Sequence, residues 1–194
     1  MSSKKKNSYK KCKCDICIKL KNLNISGVGT VLLQPNYYGN IPTIILGKER
    51  AGQYKGEYNL FAGKMEKEDN GCYIKAAWRE FTQESGIELS FNNYSKTIIN
   101  KFGKYRYFLH GKTVIFVSKI NNISRDTMNY YIYKKNANPN LPWALREIEK
   151  VERFTLDGKH IYKDKLTNKI IYNKKYCKIS SFAASVMPKV IQFI

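Results

Sequence analysis

Acidic residues are scarce in this chain: 15 Asp and Glu stand against 35 Lys and Arg among 194 residues, a formal net charge of +20 at pH 7. A field of that sign and size favours polyanions such as RNA, polyphosphorylated nucleotides or inositol phosphates. The abundance of Lys, Asn, Ile and Tyr is what an AT-rich coding sequence would produce, yet such a bias does not by itself suppress Asp and Glu. No run of eighteen apolar residues occurs, which predicts no membrane span. The lysine-rich start lacks an apolar stretch and a cleavage site, so no secretory signal is predicted and the chain is expected to be intracellular and cytoplasmic. An odd count of five cysteines without such a signal argues against a disulfide framework. No internal repeat is present, and the length suits one domain with a short extension.

The few acids that exist are placed with a pattern. On a helix, residues three and four apart share a face, so Glu80, Gln83 and Glu84 project together. Ala76, Ala77, Trp78 and Phe81 supply helix formers and an apolar side, and Gly86 stands where a left-handed C-cap is expected, which predicts roughly three to four turns ending near Ser85. Two carboxylates on one face make a hard-oxygen site suited to magnesium or manganese; zinc would want His or Cys, and neither is there. The plain alternative is the solvated face of an amphipathic helix.

Gly63, Asp69, Arg79, Glu80, Glu84, Gly86 and Ile87 together resemble the Nudix box, Gly-x5-Glu-x7-Arg-Glu-U-x-Glu-Glu-x-Gly-U with U aliphatic. Three departures mark this version: nine residues rather than seven separate Asp69 from Arg79, Asp replaces the first box Glu, and Gln83 replaces one of the helix acids. The insertion lies within residues 70–75. Gln83 bears most on chemistry, because an amide oxygen is a weaker, uncharged ligand than a carboxylate. The flanks extend the resemblance over residues 25–194: apolar strands are expected at 25–34, 42–47 and 113–119, a strand and turn at 58–64, and a late strand at 147–154 with Glu147 ahead of it. A second helix over 180–194, bent or restarted at Pro188, completes an expected α/β/α sandwich with a mixed β-sheet, the Nudix fold.

The resemblance implies a hydrolase acting on phosphoric anhydride bonds with Mg2+ or Mn2+ as cofactor. Glu80 and Glu84 would hold metal, the backbone carbonyl of Ala62 would add a ligand, and Gln83 would contribute through water or its amide oxygen. Glu80 and Glu147 are the two candidates for general base, with Glu80 preferred. Arg50 and Lys64 are placed to meet phosphates, with ordinary surface charge as the alternative. Trp143, in a stretch with Asn138, Pro139 and Pro142, either stacks on a base or is buried in the core. His110 reads as structural, and the tyrosines at 105, 107, 130, 131 and 133 read as strand residues or as a base platform. The leading substrate is capped mRNA or another RNA 5′ end. Dinucleoside polyphosphates, nucleoside triphosphates and inositol pyrophosphates form the second class, and a non-catalytic RNA-binding module of the same fold is the third reading. The high charge resembles virally encoded decapping members, for which the compartment would be the host cytoplasm.

Residues 1–24 differ in composition and are read as a basic arm, with Lys4, Lys5, Lys6, Lys10, Lys11, Lys13, Lys19 and Lys21 around Cys12, Cys14 and Cys17. Those cysteines have zinc-like spacing but lack a fourth ligand nearby; Cys72 and Cys177 are distant candidates, and reduced thiols are the alternative.

Overall fold

The computed structural model describes residue 12 and residues 14–38, 41–121, 123–156, 169–172 and 175–194, with backbone alone at 35–38, 41, 155, 169–172 and 175–176. The lysines at 4–6, 10, 11 and 13 lie outside the described residues. In chain order the elements are α1 (Asp15–Leu20), β1 (Gly27–Tyr38), β2 (Ile41–Glu49), β3 (Tyr58–Asn59), β4 (Phe61–Lys64), α2 (Tyr73–Ser85), α3 (Phe91–Thr97), β5 (Tyr107–His110), β6 (Thr113–Lys119), α4 (Arg125–Ala137), β7 (Ile148–Thr155), β8 (Lys169–Tyr172), β9 (Lys175–Lys178) and α5 (Ser181–Val190). Short 3-10 turns occupy Lys67–Asp69, Trp143–Leu145 and Ile191–Phe193.

The alternation of apolar residues along β1 organises the molecule. Val28 and Leu32 face one side and Val31 and Leu33 the other, so this strand is buried on both faces. On the first face, Val28, Leu32, Ile45, Val114 and Phe116 meet Ile16 and Leu20 of α1, Ile74, Ala77 and Phe81 of α2, Tyr94 of α3, and Met128 and Ile132 of α4. On the second face, Val31, Leu33, Ile44, Leu46, Ile115 and Val117 meet Ala183, Val186, Met187 and Val190 of α5. Helices therefore cover both faces of a mixed sheet, which is the α/β/α sandwich expected. The sheet runs β3-β2-β1-β6-β5, with β4 against β1 and β7 against β2. The β1–β6 pair is parallel, from Gly27 opposite Thr113 to Leu33 opposite Lys119, and the other pairs are antiparallel.

Several buried polar groups pair across the layers, while Thr43 Oγ1 and Arg146 Nε are buried without a hydrogen-bond partner. The Tyr94 hydroxyl lies 2.6 Å from Thr30 Oγ1, and Arg153 Nε donates to Gln34 Oε1 at 2.8 Å. Ser90, Ser124 and Ser180 each accept a backbone N–H at the start of α3, α4 and α5.

Several expectations need correction. The helix of the C-terminal region is not restarted at Pro188 but continues through it, and tightens into a 3-10 turn only after Val190. Tyr130, Tyr131 and Tyr133 are not strand residues: they lie on α4, all exposed. The composition change at residue 24 is not a break in the core, because Ile16, Cys17 and Leu20 are buried in the first-face cluster. No helix among the described residues is long and apolar enough to cross a membrane.

Candidate metal and phosphate site

The site forms where β4 passes beneath α2. Asn70 and Gly71 both adopt positive φ, 52° and 69°, so the inserted residues fold back and start α2 at Tyr73. Gly86 ends the helix with φ 72°, as its spacing predicts, and a Cβ there would meet the Met128 carbonyl oxygen at 2.9 Å. Between these ends, Glu80 and Glu84 occupy one face and are 8% and 5% exposed, so they are not the solvated face of an amphipathic helix.

Arg79 sets the position of the acids. Its guanidinium donates to both carboxylate oxygens of Asp69 at 3.1 and 3.0 Å, to the Lys64 carbonyl at 2.9 Å, to Glu80 Oε1 at 2.8 Å and to Gln83 Oε1 at 3.3 Å. Asp69 is fully buried, and its carboxylate also accepts the Glu66 N–H at 2.8 Å within a reciprocal capping box. An Asp at this position is thus long enough to hold the arginine. Gln83 is turned to Arg79, and Lys64 reaches the network through its carbonyl while its side chain is exposed.

Opposite the helix, the Ala62 N–H donates to Glu84 Oε2 at 2.9 Å. A Cβ built on Gly63 would lie 2.3 Å from the Glu80 carboxyl carbon, so only glycine lets the β4 backbone come this close. Two further acids face the pair. Glu49, at the end of β2, and Glu147, just before β7, line a cavity of ≈ 190 Å³ together with Ala51, Tyr54 and Trp143. Burial raises the pKa of Glu84 well above the ordinary value, and the charges of Glu80, Glu49 and Glu147 raise it further. Burial likewise raises Glu80, against the opposing pull of Arg79, and raises Glu147. It pushes Glu49 up to about 7 despite a hydrogen bond from Asn59. Among the described residues, no Lys or Arg forms an ion pair with Glu49, Glu84 or Glu147.

Arg50 is committed to the scaffold: it donates to Asn136 Oδ1 at 2.8 Å and to the Arg146 carbonyl at 3.2 Å, and its guanidinium lies 5.4 Å from the Trp143 ring centroid. Arg146 lies 5.7 Å from the same ring, which is 46% exposed and so is no core tryptophan. His110 sits apart from the acids, on β5 against α5, 3.0 Å from Ser185 Oγ and edge-on to Phe182.

Glu49 is the member of this group that the sequence does not single out: the box marks Glu80 and Glu84, and the late strand marks Glu147. The signal available in sequence was an acid beside Arg50 at a strand end in a chain poor in acids. The donor set fits a small hard cation: carboxylates and a peptide group, no thiol or imidazole, and like charges left without basic partners. Glu80 and Glu84 would hold it, with the Ala62 carbonyl as the further ligand that the resemblance implies, and the charges of Glu49 and Glu147 act on Glu84.

No protein-family model and no curated protein sequence matches the chain. Solved structures match it in fold. A MutT/nudix family protein from Enterococcus faecalis is 12% identical, with 87% of this chain and 62% of that one covered and a TM-score of 0.50. The NUDIX domain of Shewanella oneidensis NrtR, solved with ADP ribose, is 8% identical, with 86% of each chain covered and a TM-score of 0.50. This chain thus spans under two thirds of the Enterococcus protein's length. At these identities the likeness shows the fold: the chain has the Nudix fold.

Proposed function

We propose that this protein is a divalent-metal-dependent hydrolase that splits a pyrophosphate linkage, with capped RNA as its leading substrate. One observation carries the reading. In a chain with 35 basic residues, three acids around one helix face and one cavity have no basic partner among the described residues. Acids kept only for stability at such burial would be paired with a base; a site that recruits a cation leaves them without one.

A pyrophosphate carries negative charge that repels an incoming nucleophile, and a bound magnesium or manganese ion neutralises that charge. Glu84 and Glu80 would hold the ion, and Arg79 fixes the rotamer of Glu80. A water attacks phosphorus, the new P–O bond forms as the bond to the bridging oxygen breaks, and the leaving phosphate takes the electron pair. The water's proton goes to a carboxylate. Glu80 is tied to Arg79 through a 2.8 Å bond, whereas Glu147 faces the cavity without an ion pair among the described residues, so Glu147 is the freer base. Burial raises its pKa above the ordinary carboxylate value, which makes it the stronger base.

Two features favour RNA. The net charge of +20 draws polyanions, and Trp143 offers an exposed ring flanked by Arg50 and Arg146 at the cavity rim, suited to stacking on a cap base. Small dinucleotides are the second reading, favoured by the ADP ribose bound to the NrtR domain of like fold.

The test measures release of labelled nucleoside diphosphate from capped RNA, and hydrolysis of ADP-ribose, a dinucleoside polyphosphate and an inositol pyrophosphate, each with and without magnesium. Metal-dependent release from capped RNA is expected, and Glu84→Gln abolishes it while RNA retention is unchanged. Full turnover by Glu84→Gln overturns the metal assignment. Cleavage of small nucleotides alone moves the substrate to the second class, and inertness across the panel leaves a binding module.

A further inference from the structure

A second gathering of metal-ligating side chains lies at the other end of α2. Cys12, Cys14, Cys17 and Cys72 bring their sulfur atoms all within 4.8 Å of one another, and none is in a disulfide. We propose that these four cysteines bind a structural zinc ion, which ties the N-terminal segment to the start of the helix that carries Glu80 and Glu84.

The geometry suits the ion. A tetrahedral site with zinc–sulfur bonds of about 2.3 Å has sulfur–sulfur edges of about 3.8 Å. Cys12 and Cys14 stand 3.3 Å apart and no pair in the group exceeds 4.8 Å, so the observed separations bracket that edge. Four sulfurs and no oxygen or nitrogen ligand select zinc among abundant divalent ions, whereas magnesium and calcium require oxygen.

The backbone is arranged to bring the ligands together. Cys14 immediately precedes α1 and Cys17 lies in its first turn, buried. Cys72 arrives from 55 positions farther along the sequence, turned inward by the left-handed pair Asn70 and Gly71. It occupies the N-cap of the 13-residue α2 without accepting a side-chain capping bond, so its sulfur is available. The Tyr73 N–H donates to Cys17 Sγ at 3.4 Å, the kind of amide contact that steadies a metal-bound thiolate. A zinc ion with four thiolates carries a net charge of −2, and Lys10, Lys11 and Lys13 adjoin Cys12 in the sequence. The fifth cysteine, Cys177, lies on β9 and is not in the group.

The ion also accounts for an otherwise weak element. α1 has six residues, too few to hold a helix unaided, yet it delivers Ile16 and Leu20 to the core. A tetrathiolate centre fixes both its start and its contact with α2.

The experiment uses the full chain, purified under reducing conditions without chelator and supplied with zinc. Elemental analysis is expected to find one zinc per chain, kept in Cys177→Ser and in Glu84→Gln and lost in the Cys17→Ser/Cys72→Ser double variant. Retention in Glu84→Gln separates this centre from the hydrolytic one, so either proposal can fail alone. Because the double variant risks misfolding, the parent protein is also titrated with a thiol-specific mercurial and reconstituted with cobalt(II). Zinc release in step with the blocking of four thiols, and the charge-transfer absorption of a cobalt tetrathiolate, are expected. Zinc-free parent protein, zinc retained by the double variant, release uncoupled from thiol blocking, or cobalt spectra of an oxygen-ligated site would each overturn the proposal.

Discussion

Glu49 titrates near 4.5 when the chain is unfolded and near 7 when folded, because burial penalises its charged form and Glu147 adds repulsion. Between those values the folded state holds the proton more tightly, so the group's contribution to stability falls as pH rises and is fully lost above about 7. Glu49→Gln keeps a hydrogen-bond acceptor for Asn59 and removes the ionisation. In the presence of chelator, its melting temperature should rise relative to the parent as pH goes from 4.5 to 7, then level off. A difference that does not change with pH would show that Glu49 ionises normally. This residue also marks where sequence reasoning stopped. Glu80 and Glu84 were legible because four residues on a helix is a local relation. Glu49 joins them only once β2 lies beside β7 and β4 beside β1, and no local pattern encodes that meeting. Trp143 was open for a related reason: its ring could belong to a core or a rim, and the two flanking guanidiniums decide for the rim.

α2 and the 3-10 turn before it behave as one unit through the Arg79–Asp69 pair. Asp69 is fully buried and the Arg79 side chain is 15% exposed; removing Asp69 leaves Arg79 its ion pairs with Glu80 and Glu66 but takes away the two-oxygen acceptor that its guanidinium grips from the buried side. Asp69→Ala should therefore destabilise the fold by about 3 kcal/mol in urea titration, with Glu80 released to other rotamers. A loss below about 1 kcal/mol would class the pair with exposed ion pairs. Element boundaries were most legible where punctuation was strong: α2 stops at Gly86 as expected, and β6 covers residues 113–119 as expected. α4 was missed, since of its 13 residues only Met128 and Ile132 are buried and its tyrosines face outward. α1 was read as part of an arm because lysine composition obscured the pair Ile16 and Leu20, which is all it buries besides Cys17. A bend or restart is the sequence expectation at Pro188, but the residue stands near the end of α5, where few residues remain to be disrupted, and the helix is not restarted.

At the scale of the whole molecule, the excess of 20 positive charges acts over distances longer than any single contact. RNA retention by Glu84→Gln should fall linearly on logarithmic axes with salt; if about six phosphates of a single strand are neutralised, the loss is about 300-fold between about 50 and 200 mM. Retention independent of salt would remove the polyanion role of the surface. The architecture was legible in sequence because alternating apolar strands around a central amphipathic helix admit few layer arrangements. The order in which those layers close was not. The second face of the sheet is covered by α5, so among the described residues Val31, Leu33, Ile44, Leu46, Ile115 and Val117 have no helical cover until residues 181–190 have been made. At about 5–20 residues per second, synthesis leaves that face open for seconds after β1 has left the ribosome. Nascent chains that pause before residue 181 would be the species most exposed to chaperones and to aggregation, and a helix remote from the acids would set how much protein survives to use them.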